Sequence, residues 1–212
     1  MNIQNKTRQL ALTGLFGGII FLLAFTPLGF IRLPFINATT IHIPVIIGSL
    51  LLGPKHGAVL GFLFGLTSMI INTTTPNPLI SFVFTPLFPV PGTDSGSPLA
   101  LIICFVPRIL VGVFPWYVHN GIKKLINPKF EAASLAVAGV VGSLTNTLLV
   151  MHLIFFFFSG PYAEVRNIAI DAVYGVILGI IAMNGIPEAI VAGILVVGAC
   201  IPLKAVLQKQ TK

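Results

Sequence analysis

One arginine inside an apolar stretch is the residue best suited to bind a ligand. Arg108 lies about ten positions into the apolar run 99–122, which places it about 15 Å along a regular helix. A guanidinium at that depth in an apolar medium needs a partner. Its planar fork fits a carboxylate, so the sequence predicts a site for an anionic ligand. The alternative is an internal ion pair with Glu188 or Asp171.

A second polar group is an amide in the apolar run 130–158. Asn146 shares a helical face with Gly139 and Gly142, which leave space beside its side chain. An amide carries both donors and an acceptor, so it suits a ligand hydroxyl or amide. The alternative is a hydrogen bond between helices inside the bundle.

The run NGIPE at 184–188 opens the last apolar run and fits the start of a helix. Asn184 is a capping residue, Pro187 falls in the first turn, and Glu188 lies at the positive end of the helix dipole. We expect this end to face outward, as does the opening towards Arg108. Asn184 and Glu188 are therefore also predicted to line the ligand pocket.

The composition excludes a soluble globule. Hydrophobic residues make up 56% of the 212-residue chain, charged residues only 8%, and the mean hydropathy is +1.01. An average chain has about a quarter charged residues, so the solvent of this one must be largely lipid. The net charge of +7 comes from basic residues at the ends of apolar runs. That placement orients a membrane protein and does not indicate a nucleic-acid partner.

The predicted fold is a single all-α transmembrane domain, 1–212, with long outer loops. Its six spans are 9–28, 41–53, 56–72, 99–122, 130–158 and 186–207. The second is short, and the loop 73–98 carries aromatic residues that should fold back onto the protein as a lid.

The distribution of basic residues favours six spans over seven. With six spans and both termini cytoplasmic, nine Lys and Arg residues lie inside and two outside, whereas a seventh span gives six against five. The apolar segment 165–183 is therefore predicted to be a re-entrant or outer-surface helix before the last span.

Small residues recur at helical spacing in two of the runs. In the third run they are Gly57, Gly61 and Gly65, and in the first run they are Ala11, Gly14 and Gly18. Such faces let another backbone approach closely. The pattern fits either packing within this bundle or a docking face for another membrane subunit.

The chain carries no motif for catalysis or for a cofactor. A phosphate-binding G-x-x-x-x-G-K-[ST] loop, H-E-x-x-H and G-x-S-x-G are all missing from the sequence. Cys104 and Cys200 lie in apolar runs without metal-ligand spacing. These features favour a binding protein that uses no cofactor. A lipid-modifying membrane enzyme and a self-sufficient secondary carrier remain as alternatives, although the hydropathy shows no internal duplication typical of carriers.

Several runs resemble the substrate-binding S components of energy-coupling factor (ECF) vitamin transporters. They are IHIPVIIG at 41–48, LGPKHGA at 52–58 and GFLFG at 61–65. The chain is most similar to the pantothenate-specific branch of that family in three further runs, VPRILVG at 106–112, TNT at 145–147 and NGIPE at 184–188. The resemblance covers nearly the whole chain.

This resemblance implies a six-helix subunit of the cell membrane that captures a vitamin from outside. The subunit would dock on a membrane T component that carries two cytoplasmic ATPases. In the family, a small-residue motif of the first helix contacts the partner, and here Gly14 and Gly18 replace its common alanines. The family's sites lie between the outer loops and the later helices.

For pantothenate, the chemistry of the vitamin divides among the predicted residues. Arg108 would bind the carboxylate. Asn146 and Asn184 would bind the hydroxyls or the amide, and Phe82 and Phe84 would contact the dimethyl group. The full predicted set of substrate-binding residues is Arg108, Asn146, Asn184, Glu188, Phe82, Phe84 and His42. Another vitamin bound by the same fold is the nearest alternative.

Overall fold

The computed structural model describes residues 3–32, 37–125 and 130–209, and these are almost entirely helical. Two lysines of the charge count, Lys129 and Lys212, lie outside this part of the chain. The helices are α1 (Ile3–Ala24), α2 (His42–Leu52), α3 (Pro54–Thr74), α4 (Leu99–Leu125), α5 (Glu131–Arg166), α6 (Val173–Ile180) and α7 (Ile186–Lys209). Between α1 and α2, the short strands β1 (Phe30–Arg32) and β2 (Asn37–Thr39) pair antiparallel.

The predicted all-α membrane fold is confirmed. Within the described part of the chain, five helical stretches are long and apolar enough to cross a membrane: Lys6–Ala24, Pro54–Thr74, Leu99–Leu125, Glu131–Arg166 and Ile170–Leu207. The remaining predicted span, 41–53, corresponds to α2, which has 11 residues and is therefore only about 16 Å long. Its short length agrees with the sequence analysis.

A single residue separates α2 from α3. Gly53 has a φ of 96°, a conformation that favours glycine, and its N–H donates to the carbonyl oxygen of Ser49 at 2.8 Å. Pro54 then occupies the first turn of α3, where a missing N–H breaks no helical bond. The Gly-Pro pair therefore reverses the chain between two neighbouring helices.

The fifth run extends beyond its predicted end. The helix is interrupted at Phe158, whose φ of −136° is not helical, and then continues through Pro161 to Arg166. Asn167 ends it in the left-handed conformation, with a φ of 52°. The predicted boundary at 158 thus marks a kink within α5.

The segment 165–183 contains the predicted helix ahead of the last span, but no loop separates that helix from α7. A turn of π-helix, Ile181–Gly185, joins α6 directly to α7, and the N–H of Ile186 donates to the oxygen of Ile181. Asn184 lies inside this turn, two residues before α7 begins. The prediction that Asn184 caps a new helix is therefore wrong, because the backbone bonds continue through the π turn.

The three glycines of α3 face α4 at very close range. A Cβ atom on Gly57 would overlap the carbonyl oxygen of Gly112, and one on Gly61 would overlap the carbonyl oxygen of Arg108. On Gly65 it would lie 2.8 Å from the ring of Phe105. This groove is filled by the chain's own α4, so packing within the bundle replaces docking to another subunit as the role of Gly57, Gly61 and Gly65.

The small residues of α1 have different surroundings. Ala11, Gly14 and Gly18 are exposed, and a Cβ atom on Gly14 or Gly18 would meet nothing within 4 Å. Gly17, on the other side of α1, faces inward, where a Cβ would lie 3.1 Å from Leu63. One face of α1 therefore packs on α3 while the Gly14 and Gly18 face stays open.

Candidate substrate-binding site

A cavity of about 420 Å³ lies where β2, the 73–98 loop and α3 to α7 meet. This volume is within the range of small-molecule sites, about 300 to 1,000 Å³. Five of the seven residues predicted to bind substrate line it: Phe84, Arg108, Asn146, Asn184 and Glu188. The fold therefore brings together residues that are widely separated in the sequence.

Arg108 is buried in the wall of this cavity, with only 6% of its surface exposed. Its Nη1 donates to the carbonyl oxygen of Ile103 at 2.7 Å. Its Cζ lies 4.8 Å from the centroid of the Phe84 ring and 5.6 Å from that of Phe64. Contacts of this kind stabilise a cation by its attraction to the ring faces.

The alternative of an internal ion pair does not hold for Arg108. Among the described residues, a salt bridge joins Lys204 of α7 to Glu131 at the start of α5, and neither residue lines the cavity. Neither Glu188 nor Asp171 pairs with the arginine, and its Nε has no hydrogen-bond partner in this part of the chain. The guanidinium thus retains a donor for a ligand.

Phe84 reaches the arginine because the loop 73–98 folds back onto the bundle, as predicted. The hydroxyl of Ser81 donates to Oδ1 of Asn72 and accepts the N–H of Asn77, both at 2.8 Å. The hydroxyls of Thr73 and Thr85 are 2.7 Å apart. These bonds tie the loop to the end of α3 and hold Phe84 over the guanidinium.

Two of the predicted residues lie outside the cavity. Phe82 is fully buried and packs edge-on against Phe158, with ring centroids 5.8 Å apart. His42 precedes Ile46 by one helical turn on the same face of α2. Ile46 points towards Gly142 of α5, so His42 also faces the bundle interior, where it is 1% exposed. Phe82 was predicted from its place in the aromatic loop, and His42 from its place at the start of the second span; neither pattern indicates which neighbours cover the side chain.

Asn146 lines the cavity next to Thr147. Its Oδ1 is buried and accepts no hydrogen bond from any described residue, which disfavours the alternative of an interhelical bond through that oxygen. A buried acceptor without a partner costs about 1 to 3 kcal/mol. A ligand that donates a hydroxyl or amide hydrogen would remove that cost.

Glu188 has a structural partner on the β1–β2 hairpin. Its Oε1 accepts the backbone N–H of Thr39 at 2.8 Å, and both residues line the cavity. This bond ties β2 to α7 across the cavity. Asn184 lies four residues earlier, so the two side chains point to the same side across the junction of the π turn and α7.

The residues at the end of α3 that line the cavity were not predicted from the sequence. Ser68, Asn72 and Thr75 line the cavity there, and their spacing of four and three positions puts them on one helical face. The sequence signal that could have identified these residues is a polar helical face at the end of an apolar run. In the part of the chain that the structure describes, no three His, Cys, Asp or Glu residues group as metal ligands.

The cavity therefore presents a cation with a free donor, an amide oxygen without a donor, and several hydroxyl and amide groups. This combination suits a small anion that also carries hydroxyl or amide hydrogens. Phe84 and Ile71 add apolar surface to the same cavity.

Comparison with known proteins identifies the family of the chain. Residues 8–199 match the family described as ECF transporter, substrate-specific component. The pantothenic acid transporter PanT of Lactococcus lactis subsp. cremoris is 38% identical over 194 residues, which cover 91% of each chain. The pantothenate transporter PanT of Leuconostoc mesenteroides is 30% identical over 200 residues, 92% of this chain and 91% of that protein. The chain belongs to the family of substrate-specific components of ECF transporters.

Proposed function

We propose that this chain is the subunit that captures pantothenate for an ECF importer. The observation that carries the proposal is the buried guanidinium of Arg108, which has a free donor and no acidic partner in the cavity. The two relatives named as pantothenate transporters support the choice of vitamin. As a member of a transporter family, the chain is not an enzyme.

The functional groups of pantothenate match the polar groups of the cavity. The vitamin has one carboxylate, two hydroxyls, an amide and a dimethyl carbon. We assign the carboxylate to Arg108, where a charge-assisted bond forms in a setting with little water. Asn146 accepts a hydroxyl or amide hydrogen through Oδ1, and Asn184 bonds the same part of the ligand. The dimethyl carbon packs against Phe84.

Glu188 has a second role in this proposal. One of its carboxylate oxygens holds β2 through Thr39, while the residue also lines the cavity. The other oxygen then accepts a ligand hydroxyl. The side chain of Glu188 would therefore contact both the ligand and the β1–β2 hairpin.

The membrane orientation follows from the basic residues. With both termini in the cytoplasm, Lys6, Lys123 and Lys209 lie on the inner side, as the positive-inside rule requires. The cavity, which is lined by Thr39 of β2 and Phe84 of the loop 73–98, then lies towards the outer side of the membrane. A binding subunit in this orientation takes up its vitamin from the medium.

Transport itself requires partners. We propose that the chain docks on a membrane T component and that two cytoplasmic ATPases supply the energy. The open face of α1, with Ala11, Gly14 and Gly18, is the surface offered to the T component, because close helix contacts in membranes need small residues.

The test of the cargo is a thermal unfolding series with the detergent-purified chain and a panel of vitamins. A ligand at 100 times its dissociation constant stabilises the folded state by about 2.7 kcal/mol, so pantothenate should raise the melting temperature while the other vitamins leave it unchanged. Stabilisation by a different vitamin, without an effect of pantothenate, would contradict the assignment. Proteoliposomes containing the chain alone should bind the vitamin without accumulating it, whereas accumulation would identify a self-sufficient carrier.

A further inference from the structure

We infer that Pro107 is a positioning residue for the ligand-binding arginine that follows it. The proline lies inside α4 and is buried. Pro107 affects Arg108 through the backbone carbonyl of Ile103, one helical turn before the proline. This inference rests on the proposed function, since it concerns how the carboxylate site is prepared for its ligand.

The missing N–H of Pro107 leaves one carbonyl of α4 without its usual donor. In an α-helix, the N–H of residue 107 would donate to the carbonyl oxygen of residue 103, but proline has no N–H. In a lipid-embedded bundle such a carbonyl needs another donor. The structure supplies one, because Nη1 of Arg108 donates to the oxygen of Ile103 at 2.7 Å.

This bond fixes the orientation of the guanidinium. The side chain of a helical residue leans towards the start of its helix, and here it does so far enough to reach Ile103. Phe84 and Phe64 lie near the guanidinium, so rotation of the group is restricted. Nε remains without a partner. An arginine fixed in this way loses little further freedom when a ligand binds.

The same helix contains a matched control. Pro115 also lies within α4 and in the same way removes the donor for the carbonyl of Val111. Pro115 does not line the cavity, and its neighbour is Gly142 of α5. A substitution there changes the backbone of α4 without changing the partner of Arg108.

The experiment compares affinities for pantothenate and for pantothenol, its primary-alcohol analogue. Pro107→Ala restores an N–H that competes with Arg108 for the oxygen of Ile103. We expect affinity for pantothenate to fall about tenfold relative to pantothenol, with a melting temperature equal to that of the wild type or higher. Pro115→Ala should leave the ratio of the two affinities unchanged. Pro107→Val restores the same N–H with a larger side chain and replaces Pro107→Ala if the alanine variant is unstable.

The outcomes separate this inference from the proposed function. An unchanged affinity ratio in the Pro107 variants, or an equal change in Pro115→Ala, overturns the role of Pro107. Arg108→Gln is measured alongside. If that variant loses the preference for the acid while Pro107→Ala keeps it, the proposed function stands without the inference. If Arg108→Gln keeps the preference, the assignment of the carboxylate to Arg108 and the role of Pro107 are both overturned.

Discussion

The donors of the Arg108 guanidinium differ in whether they are paired. Nη1 donates to the carbonyl oxygen of Ile103, whereas Nε has no partner among the described residues. Arginine has five N–H donors in a fixed plane, so the bond to Ile103 determines where the others point. Residue type alone suggested a carboxylate site, but the partner of Nη1 became apparent only from the fold.

At the same scale, Asn146 should contribute to affinity without distinguishing acid from alcohol. Replacing it with leucine removes the unpaired Oδ1, so we expect about tenfold weaker binding of both pantothenate and pantothenol by isothermal titration calorimetry. The control is Ser143→Ala. Its hydroxyl is buried and has no partner among the described residues, but it does not line the cavity. Wild-type affinity in Asn146→Leu would exclude Asn146 from the site.

At the scale of elements, glycines bring α3 and α4 into close contact, whereas the Gly14 and Gly18 face of α1 stays open. The contact of Gly61 with the backbone of Arg108 sets the position of α4 against α3. Because the same stretch of α4 carries the arginine, helix packing and ligand geometry are linked. The open face of α1 takes no part in this packing.

Bulky residues on the open face of α1 should therefore separate binding from transport. A Cβ added at Gly14 or Gly18 meets nothing within 4 Å in this chain, so pantothenate binding and thermal stability of Gly14→Leu and Gly18→Leu should stay at wild-type levels. Uptake into proteoliposomes that contain the T component and the ATPases should fall at least about tenfold, because helices can no longer approach closely.

The control for these variants is Gly198→Leu. Gly198 lies in α7, and a Cβ there also meets nothing within 4 Å. Its uptake should match the wild type. Full uptake by both α1 variants would show that this face does not dock.

For the whole molecule, hydropathy and charge were enough to predict the bundle. Apolar runs are visible in a sequence because lipid is the solvent, and Gly53-Pro54 marks the reversal between α2 and α3. The continuous path from α6 to α7 was not predictable in this way. Hydropathy measures the polarity of a segment and does not record whether its backbone bonds continue through a π turn, as they do at Ile181–Gly185.

The site was predictable only where polarity contrasts with its surroundings. Arg108 and Asn146 stand out in apolar runs, and both line the cavity. His42 also stands out, but α2 turns it towards the bundle interior. Ser68 and Asn72 were missed because the glycine pattern of α3 was the more prominent signal. Which of two buried faces borders a cavity depends on tertiary packing, which hydropathy and helical periodicity do not reveal.

The most direct test of the account is the preference for pantothenate over pantothenol in the wild type and in Arg108→Gln, measured by calorimetry. If the buried guanidinium binds the carboxylate, the wild type should prefer the acid by at least about tenfold. Arg108→Gln should bind both molecules with similar affinity and keep the wild-type affinity for pantothenol. An undiminished preference for the acid in Arg108→Gln would contradict the account.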